Sequence, residues 1–179
     1  LDAIDKIRDT ASSHHRHFII EVMGRSAGFL AAEVGIAGGA EYVLIPERPI
    51  EIPDLITLLK ATSHKKSSSI VIVAEADQPG RSMAIADEIK RMNNLEYKVC
   101  ILGHTQRGGS PTVTDRKVGS MMGVKAVEGL LSQGVGKMVA IKDSQYLYTD
   151  FPKAEHAQRF FENFDLLKVN DILCGVDSS

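Results

Sequence analysis

Four short apolar runs recur along this chain, and stretches of helical composition separate them. HFIIEVM covers residues 17–23, EYVLI 41–45, SIVIVAE 69–75 and YKVCIL 97–102. Each is too short for a helix and rich in β-branched residues, so each reads as a strand. Between them, 27–37, 53–62 and 82–93 read as helices; Gly38-Gly39 stops the first and Pro53 opens the second. Helices are also predicted over 1–13 and about 113–132, with a strand at 136–141 and partly helical residues beyond Tyr148. The runs are continuously apolar rather than alternating, which marks strands buried on both faces of a parallel sheet. The predicted fold is therefore α/β, a Rossmann-like three-layer α/β/α arrangement with a parallel sheet.

Such a sheet needs a sizeable core, and 179 residues with 44% hydrophobic content supply one. The formal net charge of −2 gives no global basic field, so nucleic acid is not an expected partner and any anion site must be local. No stretch approaches the roughly 20 apolar residues of a membrane span, and no signal peptide is visible. Two cysteines do not make a disulfide framework, and a cytoplasmic setting is expected. The chain opens on LDAIDKIRDTASSHHR without an initiator Met, its apolar residues Leu1, Ile4 and Ile7 already at helical spacing. A fragment of a longer protein is the expectation.

Ligands of open parallel sheets gather at the carboxyl ends of the strands. Met23-Gly24-Arg25 follows the first run; a Gly there admits close approach to the backbone, and Arg25 near a helix start can fork onto a phosphate. From local sequence a plain turn with a solvated Arg stands equally well. Glu75 ends the third run, placed to accept from sugar hydroxyls or simply to be solvated. The fourth run ends in GHTQRGG, where His104 and Arg107 are donors and Gly108-Gly109 frees the backbone. That turn reads as an anion cradle. His14, His15 and His17 lack a second cluster with ligand spacing, so no metal site is expected. GVGK at 134–137 lacks the spacing of a phosphate loop, and neither GxGxxG after a strand nor GxSxG occurs. Donors for an oxyanion are present; a general base or nucleophile is not evident.

EVMGRSAGFLAAEVGIAGGAEYVLIPE, IVIVAEADQPG and ILGHTQRGGSPTVTDR, with IDKIRDTASSHHR ahead of them, resemble the carboxy-terminal half of the 6-phosphofructokinases. The resemblance implies the substrate-binding half of that fold. It implies that Met23, Gly24 and Arg25 lie against fructose 6-phosphate, with Arg25 also reaching the transferred phosphoryl group, that Glu75 binds sugar hydroxyls, and that His104 and Arg107 hold the 6-phosphate. Arg16 would reach the same phosphate in a neighbouring subunit; Lys98 stands where the family usually has a second such Arg, keeping the charge but not the fork. Arg8, Glu41, His64 and Lys66 match an effector site for a nucleoside diphosphate or phosphoenolpyruvate.

By the same resemblance, residues 1–104 and 157–179 form the smaller, substrate-binding domain, and 105–156 pack into a nucleotide-binding domain. The nucleotide loops and catalytic Asp of the family belong to the amino-terminal half. The implied parent is a homotetrameric glycolytic kinase using ATP and Mg2+, and the 179 residues alone are expected to be inactive. Two other readings are open: a pyrophosphate-dependent phosphofructokinase, and a non-catalytic module binding a sugar phosphate or nucleotide. A dinucleotide-binding domain is disfavoured by the missing glycine motif.

Overall fold

The computed structural model describes residues 1–63, 68–132, 136–153 and 164–175. The order is α1 (Asp2–His14), β1 (His17–Val22), α2 (Phe29–Ala37), β2 (Tyr42–Leu44), α3 (Ile52–Ser63), β3 (Ser69–Ala74), α4 (Arg81–Asn93) and β4 (Tyr97–Ile101). A 3-10 turn, Gly103–Arg107, then precedes α5 (Val113–Ser132), β5 (Met138–Lys142), β6 (Gln145–Thr149) and α6 (Phe164–Cys174). The chain divides into two compact units, one of Leu1–Gln106 with Phe160–Ser179, the other of Arg107–Arg159.

In the first unit four parallel strands lie in the order β2-β3-β1-β4. Successive side chains on a strand point to opposite faces, and both faces are covered. Ile20, Val22, Ile70, Ile72 and Ala74 pack with Ile4 of α1, Ala31 and Ala32 of α2 and Leu167 of α6. Ile19, Val71 and Val73 pack on the opposite side with Leu55 and Leu59 of α3 and Ile85 and Ile89 of α4. That is the three-layer α/β/α arrangement predicted from the runs. Arg48 adds an ion pair to Asp171 at 2.7 Å, which fastens α6 beside the end of β2.

One residue inside the core is acidic. Glu21, 1% exposed, sits between Ile20 and Val22 on β1. Its carboxylate accepts from the N–H of Gly80 at 2.7 Å, the N–H of Ser82 at 2.9 Å and the hydroxyl of Ser82 at 2.6 Å. Those donors lie at the start of α4, where helix N–H groups lack partners within the helix and the dipole favours an anion. Glu47 does the same for α2, accepting from the N–H of Gly28 at 3.0 Å. A carboxylate from β1 and another from the turn after β2 thus hold two helix starts.

At the amino end of the sheet, His17 Nδ1 meets Ser69 Oγ at 2.8 Å, and Ser69 Oγ meets the Tyr97 hydroxyl at 3.1 Å. Burial holds the His17 imidazole below its ordinary pKa, with the charge of Glu41 opposing.

The second unit departs from the expected strand-and-helix alternation. The strand predicted at 136–141 is β5, and it pairs antiparallel with β6 instead of extending a parallel sheet. Asp143 and Ser144 both have positive φ, 51° and 63°, as a two-residue hairpin of the mirror-image turn class requires. Neither is Gly, so the usual hairpin signal is missing from the sequence, and β6 was not predicted. Helix α5 opens on a reciprocal cap: Thr112 Oγ1 accepts from the Asp115 N–H at 3.2 Å, and Asp115 accepts from the Thr112 N–H at 2.7 Å. It meets the hairpin where Gly129 lies under Tyr148; a Cβ on Gly129 would come within 2.6 Å of the ring.

Two outcomes check this account. Glu21→Ala leaves three donors at the start of α4 without their acceptor, and is expected to lower unfolding free energy by about 3 kcal/mol in urea titrations. His17 binds a proton less readily folded than unfolded, so its contribution is fully present above its ordinary pKa of about 6.5 and is lost as pH falls through the lower folded value. The thermal midpoint is expected to fall further between about pH 7.5 and 5.5 in the native sequence than in His17→Phe.

Candidate functional site

The predicted residues divide between the two ends of the sheet. Because β3, β1 and β4 are parallel neighbours, the segments leaving them emerge side by side, with adjacent strands about 4.8 Å apart. The pairing extends one residue past each neighbour of β1: the Glu75 N–H donates to the Val22 C=O at 2.9 Å, and the Leu102 N–H to the Glu21 C=O at 3.1 Å. Met23–Arg25, Glu75 and Gly103-His104 therefore start from one edge.

The Met23–Arg25 turn is tightly specified. The Ala27 N–H closes it on the Gly24 C=O at 3.1 Å. A Cβ on Gly24 would lie 2.4 Å from the Ala27 carbonyl oxygen, so only glycine fits. Arg25 has φ of 51°, a left-handed conformation that costs a residue with a side chain about 1 kcal/mol. Glu75 helps to hold it there. One oxygen, Oε1, accepts from the Arg25 N–H at 3.2 Å and, more weakly, from the Gly24 N–H at 3.4 Å. On the other side Gln106 Oε1 accepts from the Met23 N–H at 3.0 Å.

The turn after β4 is a 3-10 segment, Gly103–Arg107, not an open loop. Thr105 Oγ1 donates to the Leu102 C=O at 2.6 Å and braces it. His104, Gln106 and Arg107 are exposed along it, as Arg25 is on its own turn. Among the described residues, no carboxylate forms an ion pair with Arg25, His104 or Arg107.

Arg16 and Lys98 are at the other end. Arg16 precedes β1, and Lys98 is the second residue of β4, paired in register with Phe18. Six strand residues, about 20 Å, separate that edge from the Met23 turn. Lys98 pairs with Glu96 at 2.9 Å. The same Lys98 is the main cause of the lowered Glu96 pKa, with smaller help from Lys90 and Arg16. Arg16 and Lys98 thus lie at one end of the sheet, remote from the turn cluster of their own chain.

Arg8 reaches the loop that joins α2 to β2, and Glu41 is the last residue of that loop. The Arg8 guanidinium donates to the Gly38 C=O. Glu41, 2% exposed, accepts from the Ile70 N–H at 2.6 Å. His64 and Lys66 lie outside the described residues. Among the described residues no group of three His, Cys, Asp or Glu side chains is placed to hold a metal ion.

Sequence reasoning passed over Glu21 and Gln106. For Glu21 there was a signal, an acid inside a continuous apolar run. For Gln106 there was none, because its partner lies 83 positions away.

Fold and edge together define an α/β protein of the open parallel-sheet class, its exposed donors collected at the carboxyl ends of adjacent strands. The sequence model named Phosphofructokinase matches residues 1–130, and the chain belongs to that family. It is 49% identical over 176 residues to the ATP-dependent 6-phosphofructokinase of Coxiella burnetii, covering 98% of this chain and 54% of that one. It is 43% identical over 174 residues to ATP-dependent 6-phosphofructokinase 1 of Thermus thermophilus, covering 97% and 54%. The chain therefore spans about half the length of the curated relatives it matches. Among solved structures, phosphofructokinase from Saccharomyces cerevisiae superposes with a TM-score of 0.72 at 33% identity, over 83% of this chain and 21% of that one. A pyrophosphate-dependent phosphofructokinase from Marinobacter aquaeolei gives 0.71 at 24% identity over 83% and 42%, a likeness of fold alone.

Arg25→Gly tests the backbone strain directly. Glycine adopts this conformation without penalty, so the substitution is expected to raise unfolding free energy by about 0.5–1 kcal/mol. Thermal and urea unfolding against the native sequence measure it.

Proposed function

We propose that this chain is the fructose 6-phosphate-binding part of a cytoplasmic 6-phosphofructokinase, which transfers a phosphoryl group from ATP to O1 of the sugar. The observation that carries the reading is the convergence of Met23–Arg25, Glu75 and His104 on one sheet edge. ATP is preferred over pyrophosphate as donor because relatives at 43–49% identity are named ATP-dependent. By the family resemblance, we assign ATP, Mg2+ and the base that takes the O1 proton to the half of the relatives that this chain does not span.

In this reading His104 and Arg107 donate to the 6-phosphate, and charge-assisted bonds fix that end of the sugar. Glu75 spends Oε1 on the Arg25 turn, which leaves Oε2 to accept from a sugar hydroxyl. Met23 and Gly24 let the sugar approach the backbone. Arg25 stabilises charge on the transferred phosphoryl group, and phosphoryl transfer depends chiefly on such positioning and charge stabilisation. Arg16 and Lys98, on the opposite edge, serve a neighbouring copy in a homotetramer. Their distance from the turn cluster of their own chain supports that assignment.

Arg8 and Glu41, with His64 and Lys66, form an effector site for a nucleoside diphosphate or phosphoenolpyruvate; the Arg8 contact with the Gly38 loop supports it. Residues 1–104 with 157–179 are the substrate-binding domain, and 105–156 pack against the nucleotide-binding half. The exposure of Met121, Val124, Val127, Leu130 and Leu131 along α5 supports that packing.

The complete gene product containing these residues is expected to phosphorylate fructose 6-phosphate in a coupled assay, and the 179 residues alone to show no turnover. In the complete product, Arg107→Ala is expected to weaken apparent sugar-phosphate affinity by roughly 1.5–3 kcal/mol, the contribution of a charge-assisted bond. An unchanged affinity would remove Arg107 from the phosphate grip.

A further inference from the structure

We infer that Gln106 is a positioning residue that ties the turn bearing His104 to the turn bearing Arg25. The inference rests on the sugar-phosphate reading above and concerns how its two halves keep their spacing. Three successive N–H groups, those of Met23, Gly24 and Arg25, all end on side chains from other strand ends. Two go to Glu75. The third goes to Gln106 Oε1 at 3.0 Å. A backbone N–H only donates, so the amide oxygen faces Met23 and the amide nitrogen points elsewhere.

This bond is exposed. Water would satisfy the Met23 N–H in its absence, so the bond adds little net stability. What water would not supply is a fixed distance between the two turns. Gln106 projects from a turn that Thr105 already braces on Leu102, and it grips a turn that Glu75 holds from the far side. His104 and the cation beside the sugar's reacting end are therefore set at one separation before substrate arrives. Loss of the tie leaves phosphate binding in place and loosens Arg25 relative to it. A misplacement on the order of 1 Å at the reacting end reduces turnover far more than binding.

The test uses the complete gene product with Gln106→Met, which keeps the length and removes the acceptor, and Gln106→Glu, which keeps the acceptor. Gln106→Met is expected to lower kcat by about tenfold while KM for fructose 6-phosphate stays within about threefold. Gln106→Glu is expected to hold kcat within about threefold of the native value and to raise KM, because it adds negative charge beside the phosphate donors. Amide hydrogen exchange in the ligand-free protein reads the bond without turnover: Met23 is expected to exchange faster in Gln106→Met and not in Gln106→Glu. An unchanged kcat in Gln106→Met, a loss confined to KM, or unchanged Met23 exchange overturns the inference. A product without fructose 6-phosphate turnover, whose Met23 exchange still answers to Gln106, overturns the substrate reading and leaves the tie standing.

Discussion

Strands β1 and β3 run through the middle of a sheet covered on both faces, and that two-sided burial governs where polar chemistry sits. Ile19, Ile20, Ile70, Val71, Ile72 and Val73 are at most 1% exposed. A charged group among them would be costly unless fully hydrogen-bonded. Glu21 meets that condition with three donors from the start of α4. The remaining ionisable groups are driven to the two edges, and the parallel direction of the strands gives each edge its own set.

Acidic residues do unexpected work at those edges. Read locally, Glu75 was either solvated or a ligand to sugar hydroxyls, and the family resemblance put Glu41 in an effector site. In the fold each first satisfies backbone donors: Glu75 those of the Arg25 turn, Glu41 that of Ile70. Glu47 and Glu21 do the same at helix starts. A carboxylate accepting from fixed N–H groups holds a loop more firmly than water would, and the Arg25 backbone has a strained conformation to be held. The turns are thereby organised before any ligand is bound.

The separation of Arg16 and Lys98 from His104 follows from chain direction alone. Both cations precede or begin strands whose other ends carry the Met23 and His104 turns. A parallel strand of six residues does not let its two ends serve one small ligand. A site using both sets takes them from two copies of the chain, which makes assembly part of the proposed chemistry rather than an addition to it.

The sequence by itself determined the apolar runs, and through them the strands, the parallel sheet and its two helical layers. Burial on both faces leaves a continuous apolar signature that needs no tertiary knowledge to read. It also determined the order of the turns after those strands, and so the family. Tertiary structure decided which side chains meet. Gln106 reaches Met23 across 83 positions, Glu21 reaches Ser82 across 61, and no local pattern encodes either bond. It also decided that 138–142 pair backwards with 145–149, through positive φ at Asp143 and Ser144 that their residue types do not announce. Periodicity reports whether a segment is buried; only the folded chain brings distant hydrogen-bonding groups within reach of each other.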